Sequence, residues 1–210
     1  MILYYTPGAC SLAPHIILRE TGLDFSLKRV DLGKHQLEDG TDYYTISPRG
    51  QVPLLELDDG QRLTEGPVIT HYLADRAGRE DLLRPGDELS RYRVLEWLNY
   101  ITSELHKGFS PLFGGDYPQE AKVIVRKGLR RKYEWVARQL EGRDYVTGSI
   151  FTVADAYLFT VTNWARHADV DITDLDSIAI FQQRVAGRPA VIEVMAKAGY
   201  RWPGRPDSLD

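Results

Sequence analysis

Residues 2–5 are a run of β-favouring side chains broken at once by Pro7 and Gly8, which predicts a short strand followed by a turn. Residues 11–21 then read as a helix that tolerates Pro14 in its first turn and stops at Gly22. Apolar and polar positions alternate over 25–30, the period of a second strand, so the β-α-β opening implies that the first two strands are parallel. Residues 31–44 are polar and mixed, and a short helix carrying His35 is expected there. The segment SPRGQVPLLEL, residues 47–57, reads as a turn into a further strand. Asp58-Asp59-Gly60 is a hairpin signal that folds residues 61–63 back antiparallel. A helix from residue 64 or 65 to about 76 completes the order β-α-β-α-β-β-α.

After this point the pattern is helical. Residues 79–88, with Pro85 and Gly86, read as a linker between a first domain, 1–78, and an all-helical second domain, 89–203, with 204–210 as a tail. Over 90–107, Val94, Leu98, Ile101 and Leu105 recur at the spacing of one buried helix stripe. Asn99, Ser103 and His106 fall on a different, polar stripe, which taken alone reads as an exposed face. A Gly- and Pro-rich break is expected over 109–118, and then a helix over 120–140 with Val125, Leu129, Tyr133, Val136 and Leu140 inward. Thr152-Val153-Ala154-Asp155 matches a capping box, and the helix it opens, 153–164, is apolar nearly all round. That helix should be the buried centre of the second domain, with Asp155 structural rather than catalytic. Gly187-Arg188-Pro189 separates two final helices, and a tail begins near Gly199.

Composition narrows the function. The chain has 210 residues, 43% of them hydrophobic and 27% charged, enough for a sizeable core. A net charge of -4 argues against nucleic acid as a partner, so the cluster Arg126, Lys127, Arg130, Arg131 and Lys132 reads as a solvated helix face. No apolar run is long enough to span a bilayer and no leader pattern opens the chain, which leads to the expectation of a cytoplasmic protein without a membrane partner. One cysteine excludes an intramolecular disulfide and argues against a thiolate metal site. Cys10 lies at the junction of the first strand and first helix, where unpaired N–H groups and the helix dipole favour a thiolate. The alternative is an inert buried thiol.

The order of the first seven elements, with a cysteine at the first helix and Val52-Pro53 ahead of a strand, resembles a thioredoxin-like domain. The fold class expected is therefore α/β plus all-α. The stretches YYTPGACSLAPHIILRE, SPRGQVPLLELDDG, TEG at 64–66, EWLNYITSELHKGFSPLF and FTVADAYLFTV together resemble a cytosolic glutathione transferase of the bacterial beta class, from residue 1 to about 200. The resemblance implies a homodimer that uses glutathione as a co-substrate, with no other cofactor and no metal. Its second domain would supply the pocket for a hydrophobic electrophile, with Phe109, Phe113, Trp164 and His167 as candidate lining. It implies a Cys10 sulfur beside that of glutathione and able to form a mixed disulfide with it. A cis peptide before Pro53 would turn the Val52 backbone, next to Gln51, toward the tripeptide. Glu65 and Gly66 would hold its γ-glutamyl end. Asn99, Ser103, Glu104, His106 and Lys107 would lie near the same site, partly from the partner subunit.

A helix end contributes about 0.3–1 kcal/mol, or roughly 0.2–0.7 of a pKa unit, too little to activate a thiol alone. His106, with Lys107, is the candidate for the remainder, against the alternative of a satisfied interface histidine. Ser11 and Tyr5 are candidate hydroxyl donors to the glutathione sulfur. Conjugation with accompanying thiol-exchange or peroxidase activity is the expected function. A glutaredoxin-like oxidoreductase and a non-catalytic ligand-binding module of the same fold are the alternatives.

His35 stands where the family commonly has a lysine that anchors the glycine carboxylate of glutathione. A histidine can donate a hydrogen bond at any pH but carries a full charge only when protonated. The Michaelis constant for glutathione is therefore expected to rise between about pH 6 and about pH 8 more steeply in this protein than in its His35→Lys variant. Superimposable pH profiles of the two would refute the assignment.

Overall fold

The computed structural model describes residues 1–115 and 117–197. The tail expected at 204–210, and the end of the second domain from 198 to 203, lie outside the described residues. In the first half, β1 (Ile2–Tyr5), β2 (Ser26–Asp31), β3 (Gln36–Leu37), β4 (Leu54–Glu56) and β5 (Arg62–Thr64) form a mixed sheet in the order β3-β2-β1-β4-β5. β1 runs parallel to β2 with Leu3 opposite Leu27, and antiparallel to β4 with Leu3 opposite Leu55. Alternation along β1 sends Leu3 into the main core and Tyr4 to the opposite face, against Val30, Leu37, Tyr43, Val52 and Leu54.

Helix α1 (Leu12–Thr21) ends at Gly22, whose φ of 67° provides the left-handed stop. Helix α2 (Gly66–Arg76) packs beside it. The helix expected over 31–44 does not form. The segment folds instead into β3, antiparallel to β2, and a 3-10 turn at Tyr43–Thr45. Short acidic side chains explain the difference: Asp31 accepts from the Gly33 and Lys34 N–H groups, Asp39 from that of Thr41 and Asp42 from that of Tyr44. These local bonds give the backbone an alternative to a helix in a stretch with no apolar stripe to bury.

In the second half, α3 (Glu88–Tyr100) is capped by the Asp87 carboxylate, which accepts from Ser90 N–H at 2.9 Å. It runs without a break into a π-helical turn at Ile101–His106 and then α4 (Lys107–Phe113). The predicted stripe of Val94, Leu98, Ile101 and Leu105 is buried throughout. The break expected from residue 109 begins only after Phe113. Fully buried Phe109 and its i+4 neighbour Phe113 stack with centroids 6.0 Å apart, and this packing carries the helix across Pro111. The remaining helices are α5 (Gln119–Leu140), α6 (Val153–Thr162), α7 (Trp164–His167), α8 (Asp176–Ala186) and α9 (Pro189–Lys197). Of the basic cluster, only Lys127 and Arg131 are exposed. Arg126 donates to Ala168 O, Arg130 grips Asp174 and Glu134, and Lys132 donates to Glu104 O, so these three tie α5 to its neighbours.

All ten residues of α6 are buried, and α1 packs against both α6 and α9, so one core runs through the two halves. Polar ties cross the same boundary, among them Arg19 of α1 with Glu193 of α9 at 3.5 Å. Arg188 grips Glu20 at 2.6 and 2.9 Å with its guanidinium over the Phe151 ring, and Trp164 Nε1 donates to Gly8 O at 2.8 Å. The capping box is formed: the Asp155 carboxylate accepts from Thr152 N–H and Oγ1–H, each at 2.8 Å, and from Val146 N–H at 2.9 Å. Burial nonetheless pushes its pKa up to about 6, because three donors only partly offset the loss of water.

Replacing Asp155 by Ala strands two buried N–H groups and is expected to cost about 2–4 kcal/mol in urea denaturation. The raised pKa has a further consequence. Between about pH 4 and pH 6 the folded carboxyl keeps a proton that the unfolded one has lost, so wild-type stability should fall over that window relative to Asp155→Asn, and run parallel to it above. A difference that rises with pH would contradict this.

Candidate active site

A cavity of about 380 Å³ opens where the two halves meet. The first half contributes Ala9 and Cys10 from the loop before α1, Gly50 to Pro53 ahead of β4, Thr64 to Gly66 at the start of α2, and Leu32 and His35 from the segment after β2. The second half contributes Thr102, His106, Lys107 and Ser110 from the α3–α4 rod and Tyr157 from α6.

Cys10 is half-buried, and its Sγ donates to the Val52 carbonyl at 3.2 Å, just ahead of the cis Val52–Pro53 peptide. Burial pushes the thiol up to about 12, with the Glu65 carboxylate adding to the effect and the backbone N–H groups of Cys10 and Ser11 opposing it. This corrects the expectation of a helix-stabilised thiolate. The helix terminus acts in the predicted direction, but desolvation of a charged sulfur outweighs it.

Glu65 sits at φ 66° immediately before α2, and its carboxylate pairs with Arg49 at 2.8 Å, both side chains being more than half exposed. His35, also at positive φ, stacks on Tyr44 with centroids 4.5 Å apart, and its Nδ1 is buried without a hydrogen-bond partner. Gly50 is required beside them. Its φ is 61°, and a Cβ there would lie 2.7 Å from both His35 Nδ1 and the Tyr44 ring.

His106 places Nδ1 2.5 Å from the Tyr157 hydroxyl, and its ring stands at 70° to that of Trp164 with centroids 4.8 Å apart. Burial, and then the charge of Lys107, push its pKa down to about 4, so it is neutral at physiological pH. In the free protein His106 therefore brings no positive charge to the cavity, and the exposed ammonium of Lys107 is the full positive charge that this rod brings there.

The predicted polar stripe is divided. His106 and Lys107 reach the cavity. Asn99 lines a second groove between α2 and α3, which it shares with Glu65 and Thr102. The exposed Ser103 hydroxyl donates to Asn99 O, and Glu104 pairs with Lys132 of α5 at 2.9 Å. The π turn causes this division, because its wider winding rotates the rod away from the α-helical projection and brings Thr102 to the cavity in place of Ser103. Ser11 is fully buried with its hydroxyl bonded to Thr6 N–H and O, and Tyr5 packs against the core near His15, so neither lines the cavity. Phe109 is core, Trp164 is nearly buried behind His106, and Phe113 and His167 are exposed. Arg49, Thr102 and Tyr157 were not anticipated. Tyr157 alone carried a usable signal, since a phenol inside an otherwise apolar buried run must place its hydroxyl somewhere.

Family models for the N-terminal and C-terminal domains of glutathione S-transferases match residues 8–76 and 100–189. The chain belongs to the glutathione S-transferase family. Within it, the glutathione S-transferase GstA of Escherichia coli O157:H7 is 51% identical over 201 residues, covering 96% of this chain and all of the relative. Among solved structures, the ternary complex of BphK, a bacterial enzyme of this family, superposes with a TM-score of 0.90 at 47% identity over 95% of this chain and all of its own. The beta-class enzyme of Sphingomonas chungbukensis superposes at 0.89 with 39% identity, over 96% and 100% of the two chains.

With its thiol pushed up to about 12, Cys10 of the free protein should alkylate roughly 50-fold more slowly near neutrality than an unperturbed thiol, the loss of thiolate being partly offset by the greater nucleophilicity of a more basic sulfur. Iodoacetamide labelling followed by mass spectrometry across pH checks this, and a reaction already saturated at pH 8 would contradict it.

Proposed function

We propose that this protein conjugates glutathione to hydrophobic electrophiles through the thiolate of the bound tripeptide, not through Cys10. The observation that carries the reading is the cavity itself: the Cys10 sulfur, the neutral His106 imidazole and the start of α2 face a common space in a chain with this family membership. The Val52 backbone would pair with the cysteinyl part of glutathione. Glu65 and the N–H groups opening α2 would receive the γ-glutamyl end, with Arg49 exchanging partners from Glu65 to a ligand carboxylate. His35 and Lys107 would offer donors to the remaining carboxylate. Residues 1–78 would hold the tripeptide, and the helical domain that begins at residue 89 would close the electrophile side through its described residues.

Cys10 fits the role of hydrogen-bond donor to the glutathione sulfur, its proton turning from Val52 O toward the ligand. Its raised pKa favours conjugation over a glutaredoxin-like reading, in which the protein thiolate must attack first. A mixed disulfide is then a slow side reaction. A homodimer joined along the groove between α2 and α3 would cover Val68 and Leu95, now exposed, and bring the Asn99 side of that groove toward a partner's ligand. Among the described residues no helix is long and apolar enough to cross a membrane, and a lone unpaired cysteine suits a reducing, cytoplasmic compartment.

Cys10→Ala is expected to abolish the protein–glutathione mixed disulfide while retaining appreciable conjugation of an aryl halide. Loss of conjugation to background, with disulfide reduction by the wild type proceeding faster than aryl transfer, would favour the oxidoreductase instead.

A further inference from the structure

We infer that Tyr157 is a positioning residue for the transfer reaction, holding His106 as the tautomer that carries its proton on Nε2, so that an uncharged imidazole donates to the glutathione sulfur. The inference rests on the conjugating function above and adds to it the identity of the group that orients the imidazole.

The argument begins with hydrogen-bond supply. Tyr157 is 1% exposed, and its hydroxyl lies 2.5 Å from His106 Nδ1. Burial raises the phenol pKa and pushes the imidazole down to about 4, so both groups are neutral near pH 7. Two protons could occupy that contact. A phenol is a far better proton donor than a neutral imidazole N–H, so the short bond runs from Tyr157 O–H to the Nδ1 lone pair. In a neutral ring the proton must then sit on Nε2.

Geometry holds the ring in this orientation. The Tyr157 and Trp164 rings lie against it with centroids at 5.8 and 4.8 Å, both near perpendicular. Tyr157 belongs to the wholly buried α6, held at its start by Asp155, and Trp164 is tied to Gly8 O in the loop that carries Cys10. Thr102, one turn before His106, also lies within hydrogen-bonding reach of the Tyr157 hydroxyl; with its own proton committed to Leu98 O at 2.8 Å it offers the phenol only a hydroxyl oxygen, a weaker acceptor than the imidazole lone pair at 2.5 Å. In the reaction the glutathione S–H bond breaks with its proton passing to solvent, and Nε2–H stabilises the resulting thiolate without transferring a proton. The sulfur electron pair then forms the bond to carbon, and the leaving group departs with its own pair.

Nitrogen-15 NMR of the ligand-free wild type reads the tautomer directly, independently of any turnover, and Nδ1-protonated His106 would overturn the inference. In Tyr157→Phe the preference should be lost, the pKa of the bound glutathione thiol should rise by about one unit in ultraviolet titration, and kcat should fall about tenfold with little change in the Michaelis constant for glutathione. A purely structural role for the phenol would lower stability and leave the thiol pKa unmoved, which would also overturn it. Failure of the wild type to bind or conjugate glutathione, with the Nε2–H tautomer still seen, would instead remove the functional reading and the catalytic consequence while sparing the Tyr157–His106 assignment.

Discussion

The structure depends on a carboxylate that no water reaches. Asp155 satisfies the Thr152 and Val146 N–H groups at the start of α6, and only with those donors met can a helix of ten buried residues sit at the junction of the two halves. That helix is the surface on which α1 of the first half rests, and α1 begins two residues after Cys10. It also carries Tyr157 into the cavity. A cap of ordinary appearance thereby controls how the sulfur, the imidazole and the phenol lie relative to one another.

Desolvation is the dominant electrostatic effect at the site. It pushes the Cys10 thiol up to about 12 and the His106 imidazole down to about 4, so the centre of the cavity is held neutral from both directions. Charge is kept to the rim, in Arg49, Glu65 and Lys107. Such a partition suits a reaction in which the ligand brings the charge: a thiolate meets uncharged donors in a poorly hydrated space, while cations at the edge receive the ligand's carboxylates.

Much of this was legible beforehand, for reasons that can be assigned residue by residue. The stripe from Val94 to Leu105 and the capping box are local patterns whose spacing is set by helix geometry, and each is buried or bonded as expected. Residues 31–44 were misread because Asp31, Asp39 and Asp42 act on nearby N–H groups, and those bonds outcompete a helix with nothing to bury. Of the stripe from Asn99 to Lys107, His106 and Lys107 reach the cavity of this chain. A projection at α-helical pitch cannot anticipate a π turn, whose extra residue is held by packing against α5 and α6.

From its sequence alone this chain reveals its two-part architecture, the place of its single sulfur at a strand–helix junction and the helix at its centre, because those follow from periodicity and from which residues can cap or break an element. Which side of the rod faces the cavity, that His106 is neutral, that Cys10 keeps its proton and that Tyr157 stands against the imidazole were decided only when the halves packed together. Those properties depend on how much water each group loses and on which distant group replaces it, and neither is a function of neighbours along the chain.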